Sequence, residues 1–507
     1  MSYRCEVEKG EEFMHISRIK LVNFRSFIGE HEIEFSKGIN FFVGDNNCGK
    51  TTVFRSIEFI QGAKDKTEYI TKGKEDEEVS VELEFRGDDL SDIINEPSLN
   101  LKKYQDYIID NGDGTYSLKI LRSSEATTIV QRGKTTILDI KNIRVYNPKS
   151  EEDGIKKYEN PTGIDKTITA LFDAQFVYSD LKNEDYQDFG KTKIIGKLIN
   201  VITKDFQKEF DEKGNKTVWG AFKDAHAKAF GDEGLLSILK GLEKEITQIL
   251  KEQYGESEVK FNFGLPEIDN FFKTGNIMLS DNGITTPVSQ KGTGMQRALA
   301  LSLIQIYAKI LNKTESEIDK PLLFFVDEPE TFLHPKAQNK LMEALNSLSN
   351  KSQIFITTHS PYLLKVFDKT QHQINVFYRD GGSSKAKNKS MLDLFGKYSP
   401  SWGEINYIAF DVVSVEFHNE LYGFLQARAI CESEKYYYEK HFDSWLKEKG
   451  LEQNKLYKHL KQNGEIGDEP KTLPTFIRNI IHHPENQHNT YTDTELRASI
   501  EQMLAIV

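Results

Sequence analysis

Eight residues near the N-terminus, Gly44-Asp45-Asn46-Asn47-Cys48-Gly49-Lys50-Thr51, decide much of what this chain can become. They follow the spacing G-x4-G-K-T, and their surroundings suit it. Ile39-Asn40-Phe41-Phe42-Val43 before them is nearly all apolar, as in a strand buried on both faces, and Thr52–Ile60 after them reads as a helix. Glycines in such a loop let backbone N–H groups converge on phosphate oxygens, and the helix N-terminus adds a positive partial charge. Gly44, Asn46, Asn47, Cys48, Gly49 and Thr52 are therefore expected to wrap the phosphates of ATP. Lys50 would bridge the β- and γ-phosphates, and Thr51 would offer its hydroxyl to Mg²⁺.

Two further apolar runs end in chemistry. Leu322-Leu323-Phe324-Phe325-Val326 runs into Asp327-Glu328, and Ile354-Phe355-Ile356-Thr357-Thr358 runs into His359-Ser360-Pro361. A helical pattern over Lys336–Leu348 separates them, so the alternation predicts βαβ units and a parallel sheet. Ligands bind such sheets at the carboxyl ends of the strands. There Asp327 would face the metal, Glu328 would polarise a water, and His359 would hydrogen-bond the γ-phosphate or the attacking water.

At 507 residues the chain is long enough for two or three domains, and 38% hydrophobic with 28% charged residues describes a core-forming protein. No apolar run approaches the ~20 residues that span a bilayer, and no secretory leader opens the sequence, so a cytoplasmic protein without a membrane partner is expected. The cysteines, Cys5, Cys48 and Cys431, are far apart, which excludes a disulfide framework or a cysteine zinc site. A net charge of −12 argues against wholesale nucleic-acid coating while leaving a local basic groove open. Alternating strands fill residues 1–150, the N-terminal lobe with the phosphate loop. Residues 151–258, dense in Lys and Glu, read as a helical insertion. Residues 259–380 return to strands, Val259–Phe263 among them, and residues 381–507 read as mostly helical after a Gly/Ser/Lys-rich linker at Asp380–Lys389.

Together with Asn23-Phe24-Arg25-Ser26-Phe27 and Ser289-Gln290-Lys291-Gly292-Thr293-Gly294-Met295-Gln296, these motifs make the chain resemble ABC-type ATPases of the RecF-like and OLD-like branch. The resemblance implies an α/β fold: an ABC-type P-loop ATPase with a mixed sheet, a β-rich N-terminal lobe, a helical insertion and a mostly helical C-terminal region. It makes Ser289, Gly292, Gly294 and Gln296 a divergent signature motif that completes the ATP site of a second copy, hence a homo-oligomer of at least two chains. A clear Q-loop is missing; Gln61 comes directly off the first helix.

OLD-like nucleases carry a metal-binding Toprim domain after the cassette, and no Glu followed by a strand-borne Asp-x-Asp occurs after Tyr378. The layout therefore looks more like the stand-alone ATPase subunits of anti-phage systems, those of PARIS (AriA-like) first and of Septu second. Such subunits imply a separately encoded effector nuclease and a phage-derived trigger protein or nucleic acid. A competing signal lies in Arg478-Asn479-Ile480-Ile481-His482-His483, which resembles the R-N-x-x-x-H pattern of HEPN ribonucleases. Asn479 and His483, four apart, would share a helix face, and Arg478 and His483 would serve metal-independent RNA cleavage. Three readings stay open: an ATP-driven sensor controlling an effector, a self-contained ATPase–ribonuclease, and a RecF-like repair ATPase.

Overall fold

The computed structural model describes residues 13–131, 134–150, 157–161, 163–165, 171–178, 206–211, 213–255, 258–265, 270–271, 277–281, 283–292, 294–296, 322–331, 335–368, 370–388, 394–460 and 465–507, with isolated residues between. They belong to two compact units, one of Met1–Ser179 with Ser316–Val507 and one of Asp180–Glu315.

In the first unit, β1 (His15–Phe24) pairs antiparallel with β2 (Phe27–Glu34) and, on its other side, with Ser80–Gly87. The sheet continues through Tyr116–Ser123, Arg144–Tyr146 and Tyr158–Glu159. Ile16 and Ile19 are both fully buried although three residues apart, because the register against Ser80–Gly87 shifts between Ile16 and Arg18. One extra residue in a strand turns the following side chains to the opposite face.

The second sheet carries the phosphate loop. β3 (Ile39–Gly44) leads into α1 (Lys50–Gly62), and β4 (Asp173–Val177), β5 (Leu322–Asp327), α2 (Pro335–Leu348), β6 (Gln353–Thr357), β7 (Gln373–Asp380) and β8 (Ser383–Asn388) follow. Strand order is β4-β5-β6-β3-β7-β8, parallel throughout except for β8. Every residue of β5 and β6 is buried, and aromatic rings join the sheet to α1. Phe325 stacks on Phe355 at 4.6 Å and meets Phe54 of α1 edge-on at 5.3 Å. Such contacts add roughly 0.5–1.5 kcal/mol each beyond the area they bury. At the far end of α1, the buried Arg122 donates to the carbonyls of Ile60 (2.9 and 3.1 Å), Ala63 (3.3 Å) and Ile140 (2.6 Å). The carbonyls of Ile60 and Ala63 belong to the last turn and C-cap of α1, where helix carbonyls lack partners within the helix, and a cation there also complements the helix dipole.

Several boundaries differ from the sequence reading. β4 lies inside the stretch expected to begin the helical insertion, so the ATPase core runs beyond residue 150. The expected linker at Asp380–Lys389 is a hairpin: Asp380 pairs with Ser383 across Gly381-Gly382, whose φ values of 57° and 84° are what a tight two-residue turn requires. Beyond it lie α3 (Trp402–Phe410), α4 (Val415–Glu432), α5 (Glu439–Glu448), the hairpin β9 (Lys455–Leu460) and β10 (Ile466–Lys471), α6 (Leu473–His482) and α7 (Asp493–Leu504). The hairpin was not expected. Within the region expected to be mostly helical, α3 ends at Asp411, which takes φ 55°, and α4 starts behind Ser414, whose hydroxyl accepts from the Phe417 N–H. These helices close on their own core, including Leu421, Phe442, Trp445, Ile477 and Ile500.

The second unit contains helices Val218–Phe230 and Leu235–Tyr254 and a hairpin of Met278–Asp281 with Ile284–Pro287. Val259–Phe263 is not a strand. Its N–H groups at Val259 and Phe261 donate to the side chains of Thr247 (3.0 Å) and Glu243 (2.8 Å) on the preceding helix instead of to a neighbouring strand.

Candidate active site

The loops after β3, β5 and β6 meet because these strands are parallel and in register, with Asp327 opposite Thr357 and Thr357 opposite Phe42. The phosphate loop can form there only around its glycines. Gly44 has φ 127°, and a Cβ on it would overlap the Phe377 carbonyl of β7. Gly49 has φ 99°, and a Cβ there would lie 2.8–2.9 Å from the hydroxyls of Ser384 and Ser26. Both needs select glycine. Asn47 adopts φ 59°, and the Cys48 thiol donates to the Asp45 carbonyl at 2.8 Å, closing the loop on itself.

Lys50 Nζ donates to the carbonyls of Gly44 (2.9 Å) and Asp45 (2.8 Å) and stands 3.0 Å from His359 Nε2. An ammonium has no acceptor, so Nε2 accepts and the imidazole carries its proton on Nδ1. Burial lowers the His359 pKa, and the Lys50 charge lowers it further; burial also pushes Lys50 down. At neutral pH the ring is uncharged. Asp327 Oδ1 accepts from Thr51 Oγ1 (3.0 Å) and Thr357 Oγ1 (2.6 Å). The Glu328 N–H donates to Thr357 Oγ1 at 2.9 Å, and Glu328 Oε1 lies 3.7 Å from His359 Nε2. Glu328 holds φ 45°, a left-handed backbone that is uncommon outside glycine and turns its carboxylate toward the loop.

A cavity of about 630 Å³ opens over these groups, lined among others by Arg25, Asn46, Lys50, Thr51, Glu328 and Arg379. Its size and its cationic and N–H donors fit a nucleoside triphosphate. A hydroxyl and a carboxylate 3.0 Å apart, Thr51 and Asp327, are the hard oxygen donors that Mg²⁺ takes when phosphates complete its shell.

Residues 14–364 match the family model described as an AAA ATPase domain, AAA_15. The chain belongs to this AAA ATPase family. It is 28% identical to the Old nuclease of Escherichia phage P2 over 361 residues, which covers 69% of this chain and 57% of that protein. With Endonuclease GajA of Bacillus cereus (strain VD045) it shares 29% identity over 175 residues, 31% of this chain and 29% of that one. Thus the chain spans little more than half the length of the Old nuclease. Among solved structures, an Smc head bound to the C-winged helix domain of ScpA aligns at 16% identity with a TM-score of 0.38, over 74% of this chain and 98% of that one. The curated similarity falls on the OLD-like branch that the motifs resemble.

Within the ATPase, Gly44, Asn46, Asn47, Cys48, Gly49, Lys50, Thr51, Thr52, Asp327, Glu328 and His359 come together at the carboxyl ends of the central strands β3, β5 and β6. The signature residues lie in the other unit. There Ser289 and Gly292 are exposed, Gly294 opens a helical turn, and the Gln296 amide is buried, donating to the Lys291 carbonyl at 2.6 Å. Thr293 falls outside the described residues. At the C-terminus the geometry departs from the expectation for Arg478, Asn479 and His483. Arg478 and the buried Asn479 both bind Glu439 of α5, at 3.3 and 2.8 Å. α6 ends at His482 ahead of Pro484, so His483 caps the helix instead of sharing its face, and its Nδ1 meets Glu485 at 3.1 Å. This arrangement packs α6 against α5.

Sequence reasoning quoted Ser26 only within its motif and gave no role to Ser384, Arg379 or Glu330. The motif Asn23-Phe24-Arg25-Ser26-Phe27 carries the first, and the run Asp327-Glu328-Pro329-Glu330 hides the last behind its better-known neighbours.

Proposed function

We propose that this ATPase is the nucleotide-driven regulator of an anti-phage defence system, controlling an effector nuclease encoded separately, as PARIS-type or Septu-type ATPase subunits would. The observation that supports it most is the Lys50–His359 contact closing the phosphate loop against Asp327 and Glu328, a site ready for ATP hydrolysis. Relatives named as Old nuclease and GajA endonuclease support the defence context. Lys50 neutralises phosphate charge, and the loop N–H groups orient the chain of phosphates. When bound, Mg²⁺ would be held by Thr51 and Asp327 and would offset charge on the phosphate oxygens. Glu328 polarises the attacking water, while neutral His359 hydrogen-bonds the γ-phosphate side of the site. In this reading Ser289, Gly292, Gly294 and Gln296 complete the site of a second copy, and the C-terminal helices offer the surface for effector or phage-derived trigger.

Two substitutions test the site. Lys50→Ala is expected to lose ATP binding, whereas Glu328→Gln keeps binding, stops hydrolysis and traps a larger species in sedimentation with ATP. Equal loss of binding in both would overturn the roles. The effector is tested by purifying the tagged chain from cells that express its neighbouring genes; ATP-responsive nuclease activity retained by the chain alone would refute a separate effector.

A further inference from the structure

Glu330 is an acidic group beside the site that the roles above leave unused. Pro329 is buried, and the left-handed turn at Glu328 sends the chain back so that Glu330 reaches across to the loop after β6. Its Oε1 accepts from the backbone N–H of His359 at 2.6 Å and from the Thr358 hydroxyl at 2.9 Å. Thr358 Oγ1 in turn accepts from the Ser360 N–H at 2.9 Å. The other oxygen, Oε2, is buried with no hydrogen-bond partner. Burial accordingly pushes the carboxyl pKa upward. A buried carboxylate with one oxygen unsatisfied costs stability, and a group kept at such a cost needs an explanation.

We propose that Glu330 is a positioning residue for ATP hydrolysis, bracing the His359 backbone so that the imidazole stays between Lys50 and Glu328. The inference rests on the functional reading of that site and assigns the group that holds it. The brace joins the ends of β5 and β6 beyond the rung already formed by Asp327, Thr357 and the Glu328 N–H, and among the described residues it is the carboxylate that holds the His359 main chain. Without it, the loop from Thr358 to Ser360 keeps its strand but loses the anchor that fixes the ring. Misplacing a catalytic group by about 1 Å can cost on the order of 10²-fold in rate. Binding of ATP, set by Lys50 and the loop N–H groups, does not depend on this contact.

The test is steady-state hydrolysis of Mg²⁺-ATP by the full chain. Glu330→Ala is expected to lower kcat by about 10-fold or more with KM within about two-fold, the signature of an interaction that acts on the transition state alone. Glu330→Gln keeps an oxygen acceptor in the same place and should recover kcat to within about three-fold of the parent. In a His359→Ala background, Glu330→Ala should cost nothing more, because its effect passes through that ring. Thr358→Val removes one donor to Oε1 without touching the carboxylate and should also lower kcat at constant KM, which keeps the proposal testable if Glu330→Ala does not fold. Unchanged kcat in Glu330→Ala, a parallel rise in KM, failure of Gln to rescue, or full additivity with His359→Ala would each overturn it. If Glu328→Gln also left turnover intact, the site assignment itself would have failed; if Glu328→Gln stops turnover while Glu330→Ala does not slow it, only the brace falls.

Discussion

His418 shows how much one side chain can depend on pH. It sits fully buried on α4, with Nε2 3.0 Å from the Ser499 hydroxyl of α7, and burial drives its pKa down to about 4. In the unfolded chain the ring takes a proton near pH 6.5, so between about 6.5 and 4 the unfolded state binds more protons than the folded one. The stability it permits is fully present above pH 6.5 and is lost as pH falls through 4, by about 3 kcal/mol in all. We expect urea unfolding followed by Trp445 emission, a reporter in the same core, to move to lower urea between pH 7 and pH 4.5. In His418→Gln, which keeps a polar group for Ser499 and cannot charge, that acid shift should shrink; an equal shift in both proteins would show that other groups govern it.

Among the elements, α1 is held at both ends by different physics. Its N-terminus is the phosphate loop, and its C-terminal carbonyls are satisfied by Arg122 from the antiparallel sheet, whose pKa burial lowers to about 10. Arg122→Met fills similar space but leaves the carbonyls of Ile60, Ala63 and Ile140 without this donor, a loss of roughly 2–4 kcal/mol. The expected result is a lower denaturation midpoint with the ATP dissociation constant changed little; an unaltered midpoint would mean that water replaces the guanidinium. How far elements were legible depends on the same local physics. The phosphate loop, β5 and β6 were read correctly because buried parallel strands are continuous apolar runs. β4 was not, since Asp173-Ala174-Gln175-Phe176-Val177 is short, opens on a charged residue and carries a second polar one at its centre. Gly381-Gly382 was misread because glycine pairs serve linkers and tight hairpins alike, and only the pairing of Asp380 with Ser383 separates the two. At the site, Lys50, Thr51, Asp327, Glu328 and His359 were legible from motif spacing, whereas the Glu330 brace and the grip of Glu439 on Arg478 depend on contacts distant in sequence.

At the scale of the whole molecule, the chain leaves the parallel sheet after β4 and re-enters it at β5, and these two strands are neighbours. Neighbouring parallel strands need a crossover of only about a dozen residues. Residues 180–315 therefore stand where one ordinary connecting helix would suffice. A shortened chain with a helical crossover of about a dozen residues in their place is expected to bind ATP through Lys50 within a few-fold of the full chain. It should hydrolyse none, because Ser289, Gly292, Gly294 and Gln296 are gone. Isothermal titration with ATP and a phosphate-release assay read the two properties separately, and turnover in the shortened chain would remove the signature from the mechanism. The antiparallel sheet and C-terminal helices would be unaltered in sequence. What the topology creates is a socket: both ends of the inserted stretch are tied to adjacent strands of one sheet, so its length and sequence can vary while the strands that carry Asp327 and lead into Lys50 keep their places.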